Sequence, residues 1–234
     1  MTIKEASILS LGFIVAALIF GFFFYESRDT GKTIRIVGTA TQGFDSDIIK
    51  WRLTLARNVS PTEVTGGYSR LAKDVQNVAE ELSRKGINKD QIVIQSVLTQ
   101  PSYSSSGAIT GYTIQQGIII TSPDIASMEK LAFSPGDVLK EGIILQNSNV
   151  EYYFSKLVEI KKELIGAAVL DARQRAEAIA KHSGTKIKGI HSARVGVFQI
   201  TEPYSTEVTD SGIYNVNTKR KDVTVTVHVT FNLH

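Results

Sequence analysis

Apolar positions along the chain fall into three kinds of run. The first is unbroken: Ala6–Tyr25 carries no charged side chain. At 1.5 Å per residue its twenty residues span about 30 Å, the thickness of a bilayer's hydrocarbon core. The run closes on Phe22, Phe23, Phe24 and Tyr25, as an interfacial aromatic belt would. A cleaved signal peptide has a shorter apolar core followed by small residues, whereas bulky aromatics and Glu26 follow here. The expectation is therefore a retained membrane anchor over residues 1–28, with Ile8, Leu11, Phe13, Ile14, Leu18, Phe22 and Tyr25 facing lipid. Residues 29–33 form a polar linker. Arg28, Lys32 and Arg35 follow the run, and counted naively they would hold the main domain in the cytoplasm. Large domains translocate largely regardless of such charges, so an outward-facing domain is compatible with them.

The second kind of run has helical spacing. Ser60, Pro61 and Glu63 form a start signal with Ser60 as N-cap and Glu63 completing a capping box. Val64, Tyr68, Leu71, Ala72, Val75, Val78, Ala79 and Leu82 then recur on one face. Gly86 supplies a left-handed stop, with Ile87 folding back on the last turn. Ser122-Pro123-Asp124 caps a shorter helix that Pro135-Gly136 interrupts. A long helix is predicted from about Lys156 to Ser183, capped by Ser155 and ended by Gly184. Its inward positions are Ile160, Leu164, Ala168, Ala172, Ala176 and Ile179. Ala167, Ala168, Ala172, Ala176, Ala178 and Ala180 favour helix and leave no bulk, so this helix can lie close on a sheet. Asp171 with Arg175, and Glu177 with Lys181, are expected ion pairs.

The third kind alternates or is short and β-branched. Ile34–Gly38 precedes a predicted turn at Thr39–Gly43. Ile48–Val59 places Trp51, Leu53 and Leu55 on one face. Gln91–Gln100 is predicted to stop at Pro101, with Ser104–Gly107 turning the chain into Tyr112–Thr121. Ile143–Phe154 and Ile187–Ile200 are further strands, and Thr201–Thr218 is a polar loop. In Val223–Leu233 the odd positions are apolar and the even ones are polar. Residues 48–121 and 143–233 share an element order, strand, helix, strand, strand. The fold expected is α+β: a transmembrane helix, then a domain over 34–234 holding two βαββ units, with mixed sheets and helices packed on one face.

Composition narrows the chemistry. The net charge is +3 without an arginine-rich run, so nucleic acid is not an expected partner. The chain has no cysteine, which removes thiol catalysis, disulfides and cysteine metal sites. Gly31-Lys32-Thr33 resembles the end of a phosphate loop, but Glu26 stands where its first glycine belongs and no strand precedes it. His182, His191, His228 and His234 form no ligand pair at helical spacing. No nucleophile elbow surrounds any serine. Asp45 and Asp47 read as turn residues. Asn58-Val59-Ser60 matches a glycosylation acceptor, but Ser60 is better used as a cap and Pro61 disfavours modification. No catalytic residue, cofactor or metal site is assigned.

In their order, several segments resemble the SIMPL domain family. They are Ile34–Gly38 with Thr39-Ala40, Gly86-Ile87 with Gln91-Ile92 and Gln95-Ser96, and Pro101 and Tyr103 leading to Gly111-Tyr112. Asp171-Ala172-Arg173 with Ala176-Glu177 in the alanine-rich helix and the C-terminal alternating strand complete the match. The family positions Gly38, Gly111, Tyr112, Asp171, Ala172 and Ala176 are expected to be structural. The resemblance implies a bacterial envelope protein facing the periplasm or exterior, without established enzymatic activity. Some members are linked to oxidative-stress defence, and some form ring-like or channel-like homo-oligomers. This sequence departs from the family pattern in its retained anchor and in Pro135-Gly136. The reading is a single-pass inner-membrane protein that assembles with itself. Its rivals are an envelope module binding a peptide, lipid or small ligand, and a cytoplasm-facing adaptor, for which a distant mammalian signalling relative is the precedent.

Overall fold

The computed structural model describes residues 3–28, 32–139 and 143–234. It is a mixed α+β fold with two sheets and four α-helices among these residues. The chain divides into two compact units. One comprises Met1–Ala40, Lys162–Val197 and Val225–His234, and the other Thr41–Lys161 and Phe198–Thr224.

Helix α1 (Ile3–Arg28) leads the first unit. Its side chains are described over 11–24, where every residue is exposed. Ile8 and Tyr25 of the expected anchor, and linker residues 29–31, lie outside the residues so described. Among the described residues no helix is long and apolar enough to cross a membrane. The stretch whose side chains are described, residues 11–24, reaches about 21 Å, against a hydrocarbon core of roughly 30 Å.

Strand β1 runs Thr33–Asp45 without the turn predicted at Thr39–Gly43. Ile34, Ile36, Gly38 and Ala40 occupy its inward phase. Helix α4 (Leu157–His182) presents Leu164, Ala168, Ala172, Ala176 and Ala180 as its buried row in this unit. The row steps by four residues throughout, so its last member is Ala180, and the predicted Ile179 stands 49% exposed. A four-residue step follows one inclined ridge of a helix, which a 3.6-residue average does not resolve. The pair Asp171–Arg175 forms at 2.9 Å, but Glu177 takes Arg173 at 2.8 Å in place of Lys181. Strand β6 (Ile187–Val195) ends earlier than predicted and pairs antiparallel with β9 (Arg220–Leu233). Val225, Val227, Val229 and Phe231 of β9 are buried in the predicted alternation.

The second unit is built on an antiparallel sheet in the order β3-β4-β2-β5. These strands are β2 (Ile48–Val59), β3 (Ile92–Tyr103), β4 (Ile109–Ser122) and β5 (Ile144–Tyr153). Strand β5 pairs with β2, so the expected second βαββ unit does not form a sheet of its own. Strand β3 continues through Pro101, which an outer strand tolerates because one side of its backbone needs no ladder bond. Helix α2 (Val64–Arg84) packs on β2 and β4 with Leu71, Val75, Val78 and Leu82 buried, while Tyr68 and Ala72 are exposed. Its N-cap is Glu63 instead of Ser60. The Ser60 hydroxyl donates to the Glu63 carboxylate at 2.8 Å, so the expected capping box is reversed into a turn. The stop is as predicted: Gly86 has φ +94° and the Ile87 N–H returns to the Leu82 carbonyl at 3.0 Å. Helix α3 (Ile125–Phe133) is capped by Asp124, which accepts from the Ser127 N–H at 3.1 Å. Ser155 does not cap α4. Its N–H and hydroxyl both donate to Asp47, at 2.7 and 2.5 Å. Short strands β7 (Gln199–Thr201) and β8 (Ile213–Tyr214) pair in parallel, the chain having broken at Gly196–Phe198 where a continuous strand was predicted.

Gly38 admits the tightest contact with α4. A Cβ built there would lie 2.0 Å from the Ala168 carbonyl oxygen and 2.7 Å from the Ala172 Cβ. Gly166, inside α4, would meet nothing within 4 Å. Gly38→Ala is expected to lose about 3 kcal/mol in urea denaturation, because helix and strand must separate. Gly166→Ala is expected to gain about 1 kcal/mol from helix propensity alone. Equal, small effects from both would refute the close approach.

Candidate functional site

The family positions separate into two structural knots. In the first, Gly38 abuts α4, Ala172 and Ala176 are fully buried, and Asp171 accepts the Thr39 N–H at 2.8 Å and the Arg175 Nε at 3.0 Å. The Thr39 N–H, then Arg175, hold the Asp171 carboxyl below its ordinary range. In the second, a Cβ on Gly111 would come within 2.7 Å of the Val59 carbonyl oxygen, and Tyr112 pairs across the sheet with both Val59 and Pro101. None of these side chains is a free acid, base or nucleophile facing a cavity. Of the anchor residues, Leu11, Phe13, Ile14, Leu18 and Phe22 are each more than half exposed.

A group of titratable side chains lies elsewhere, in the second unit, and centres on Lys221. This residue is 1% exposed, yet its Nζ donates to a backbone carbonyl, that of Tyr152, at 2.5 Å. The ring of Tyr214 lies 6.0 Å away and supplies weak cation–π attraction. Burial pushes the Lys221 ammonium down to about 8. The Tyr152 hydroxyl donates to Glu129 at 2.8 Å, and burial together with that carboxylate pushes it up to about 12. Lys219 approaches the same carboxylate at 3.9 Å. On the neighbouring residue the Tyr153 hydroxyl donates to Glu151, which also accepts from Arg52 Nε at 3.0 Å. Lys50 lies over the Tyr153 ring at 4.7 Å.

Strand alternation puts Lys221 inside. It shares the phase of Val223, Val225 and Val227, and a reading of β9 that begins at Val223 misses it. The signal was present in Arg220-Lys221-Asp222-Val223, one period before the apolar series. A second inward charge was missed on α2: Asp74, 7% exposed, takes a two-pronged ion pair from Arg57 at 2.6 and 3.0 Å. Asp74 follows Leu71 by three, on the helix's buried face. His228 is exposed on the outward face of β9, as its alternation required.

Chemically, the group around Lys221 is a tie. Its amine is positioned against a carbonyl and shielded from solvent, and its carboxylates are each engaged by tyrosine and a cation. Among the described residues no three histidine, cysteine or acidic side chains converge on a common point for a metal.

Fold and site together define an α+β protein whose ordered polar side chains serve internal attachment. Within that class, the chain belongs to the SIMPL family, described as a protein of unknown function (DUF541), whose sequence model matches residues 34–231. The curated proteins yield no match. A solved structure described as a hydrolase from Listeria innocua is 11% identical over 83% of this chain and 91% of its own. Its TM-score of 0.19 is too low for it to bear on fold or activity.

Lys221 gives a pH dependence. The folded-state value of about 8 lies below the ordinary 10.5, so between these limits the unfolded chain holds a proton that the folded chain has lost. Stability therefore rises with pH from about 8 towards 10.5, and is lost again as pH falls back through that window. Denaturation midpoints measured from pH 7.5 to 10 are expected to rise in the native protein and to flatten in Lys221→Met. A rise of the same size in both would remove Lys221 as its source.

Proposed function

We propose that the chain is a membrane-anchored, non-enzymatic envelope protein that assembles into a large homo-oligomer. Its main domain stands on the periplasmic or outer side of the inner membrane, as a ring- or channel-like scaffold with a role in envelope or oxidative stress. The observation that carries the anchoring is α1. From Leu11 to Phe24 it is exposed all round, and its large side chains are all apolar. A helix packed on its own domain hides one stripe, whereas lipid accepts every face. The uncharged sequence extends beyond this stretch on both sides, from Ala6 to Tyr25. Membership of the SIMPL family supports the envelope setting, by the family resemblance. The engagement of Asp74, Glu129, Glu151 and Lys221 in internal ties supports a role without catalysis.

Full-length protein in a bacterial host is expected in the membrane fraction, and residues 29–234 alone in the soluble fraction. Extracted in mild detergent, it is expected to scatter light as a particle of many 25.6 kDa chains. Recovery as single chains would end the assembly reading, and a soluble full-length chain would end the anchoring. Protease added outside spheroplasts is expected to digest the main domain. Protection would reverse the orientation.

A further inference from the structure

Among the described residues strand β3 is the outer strand of its sheet and pairs with β4 on one side only. Nearly all of it is exposed, including Val93 at 56%, Ile94 at 49%, Val97 at 42% and Leu98 at 52%. Helix α2 packs mainly on β2 and β4 and leaves a gap against β3, bridged by the Tyr68 and Thr99 hydroxyls. The gap is a groove of about 730 Å³ lined by Ala72, Val75, Ala79, Ile92, Ile94 and Gln116. Free strand edges of this length carry unpaired N–H and C=O groups and are commonly guarded by charged side chains. From Ile92 to Tyr103 there is none. The guards present are Pro101 and shifts of register at Ile94/Val97 and Ser102/Tyr103. They confine a regular free edge to the residues between Val97 and Pro101.

The missing charge decides the occupant. Two identical strands running antiparallel about a twofold axis set each residue opposite the one equally far on the other side of the axis, so a charge at the axis would face its own copy and a charge beside it would lie diagonal to its own. Other outer strands carry charge or are short: β1 has Arg35 and Asp45, β5 has Glu151, and β8 is two residues long. Strand β6 carries Lys188, His191 and Arg194, and on β5 the Tyr152 N–H is taken by the Val216 carbonyl at 2.7 Å. We propose that two copies of the chain pair through β3, antiparallel about a twofold at Leu98, joining two four-stranded sheets into one of eight. This names the contact within the self-assembly proposed above and rests on that reading.

The register follows from local geometry. Opposed residues in an antiparallel pair share a face, so the axis passes through a residue and not between two. Pro101, lacking an N–H, belongs with its nitrogen on the free edge. Val97 and Thr99, in the same phase, then offer their N–H and C=O groups there. With the axis at Leu98, Val97 exchanges both bonds with Thr99 of the partner subunit. Thr99 lies on the α2 side, where its hydroxyl meets that of Tyr68 at 2.7 Å, so Leu98 points away from α2. Leu98 of each copy meets its counterpart at a position without ladder bonds, where side chains approach closest. Ile94 and Val97 lose solvent at the mouth of the groove.

The absence of native cysteine makes the test direct. Full-length Leu98→Cys in mild detergent, gently oxidised, is expected to run mostly as a disulfide-linked dimer, while Val93→Cys, on the other side of the register shift, stays largely single. Leu98→Lys, at an exposed site where folding is checked by circular dichroism, sets two lysines opposite each other and is expected to lower the particle mass by half or more. If the native particle is large, yet Leu98→Cys does not cross-link and Leu98→Lys keeps the full mass, the β3 contact is overturned and self-assembly stands. If the native protein is a single chain in detergent, both fall.

Discussion

The constraint on which the first unit depends is a distance: a strand backbone laid directly on a helix backbone. At Gly38 there is no room for even one methyl group, since the position it would occupy is 2.0 Å from the Ala168 carbonyl oxygen, far inside van der Waals contact. Such an approach requires small residues on both partners, and α4 supplies Ala168 and Ala172. It also requires the strand's polar groups to find partners, and the next N–H, that of Thr39, is taken by Asp171 one residue before Ala172. Sterics and hydrogen bonding thus fix the same register between strand and helix. A slip of one residue in β1 would turn Val37 or Thr39 inward against a surface that admits only glycine.

That constraint explains which parts of the fold were legible. The alanine row could be read from sequence because helix propensity and a repeated small side chain point the same way. Its end could not, because choosing Ala180 over Ile179 requires knowing that the partner follows a four-residue ridge. The turn predicted at Thr39–Gly43 fails for a related reason. Glycine in Gly38 and Gly43 looked like a break in the chain, but Gly38 marks close approach and the strand continues past it. Pro101 misleads similarly: it excludes a central strand and says nothing against an outer one. The element order of the two halves is alike, but pairing of β5 with β2 is a long-range choice that no local pattern encodes.

The charged residues that sequence reading missed were hidden by the rule that charges lie outside. Asp74 and Lys221 both sit in the inward phase of a strongly patterned element. Each is tolerable only because of a partner distant in sequence, Arg57 for one and the Tyr152 carbonyl for the other. The two differ in kind. Asp74 meets an opposite charge, the two-pronged Arg57 guanidinium. Lys221 meets only the Tyr152 carbonyl dipole and the Tyr214 ring, so burial acts on it almost unopposed and depresses its affinity for a proton. A buried amine of this sort invites a catalytic reading. Its nearly complete enclosure argues against one, because a substrate carbonyl would have to displace the Tyr152 contact and enter packed space.

This division of labour bears on what the chain can do. The inward-facing ionisable groups are engaged by internal ties, and exposed apolar segments remain on the surface. Two stand out, the leading helix and the outer strand β3. They differ in the kind of neighbour they can accept. A helix satisfies its own backbone and needs only an apolar medium, whereas a strand edge keeps unmet hydrogen-bonding groups and needs another strand. Lipid suits the first and cannot serve the second, while a second copy of an uncharged strand serves the second without repulsion. An anchored protein also confines its copies to two dimensions, which raises their effective concentration and makes a weak edge contact sufficient. On the proposed reading the two exposed surfaces would support each other, the helix gathering the copies and the strand edge joining them.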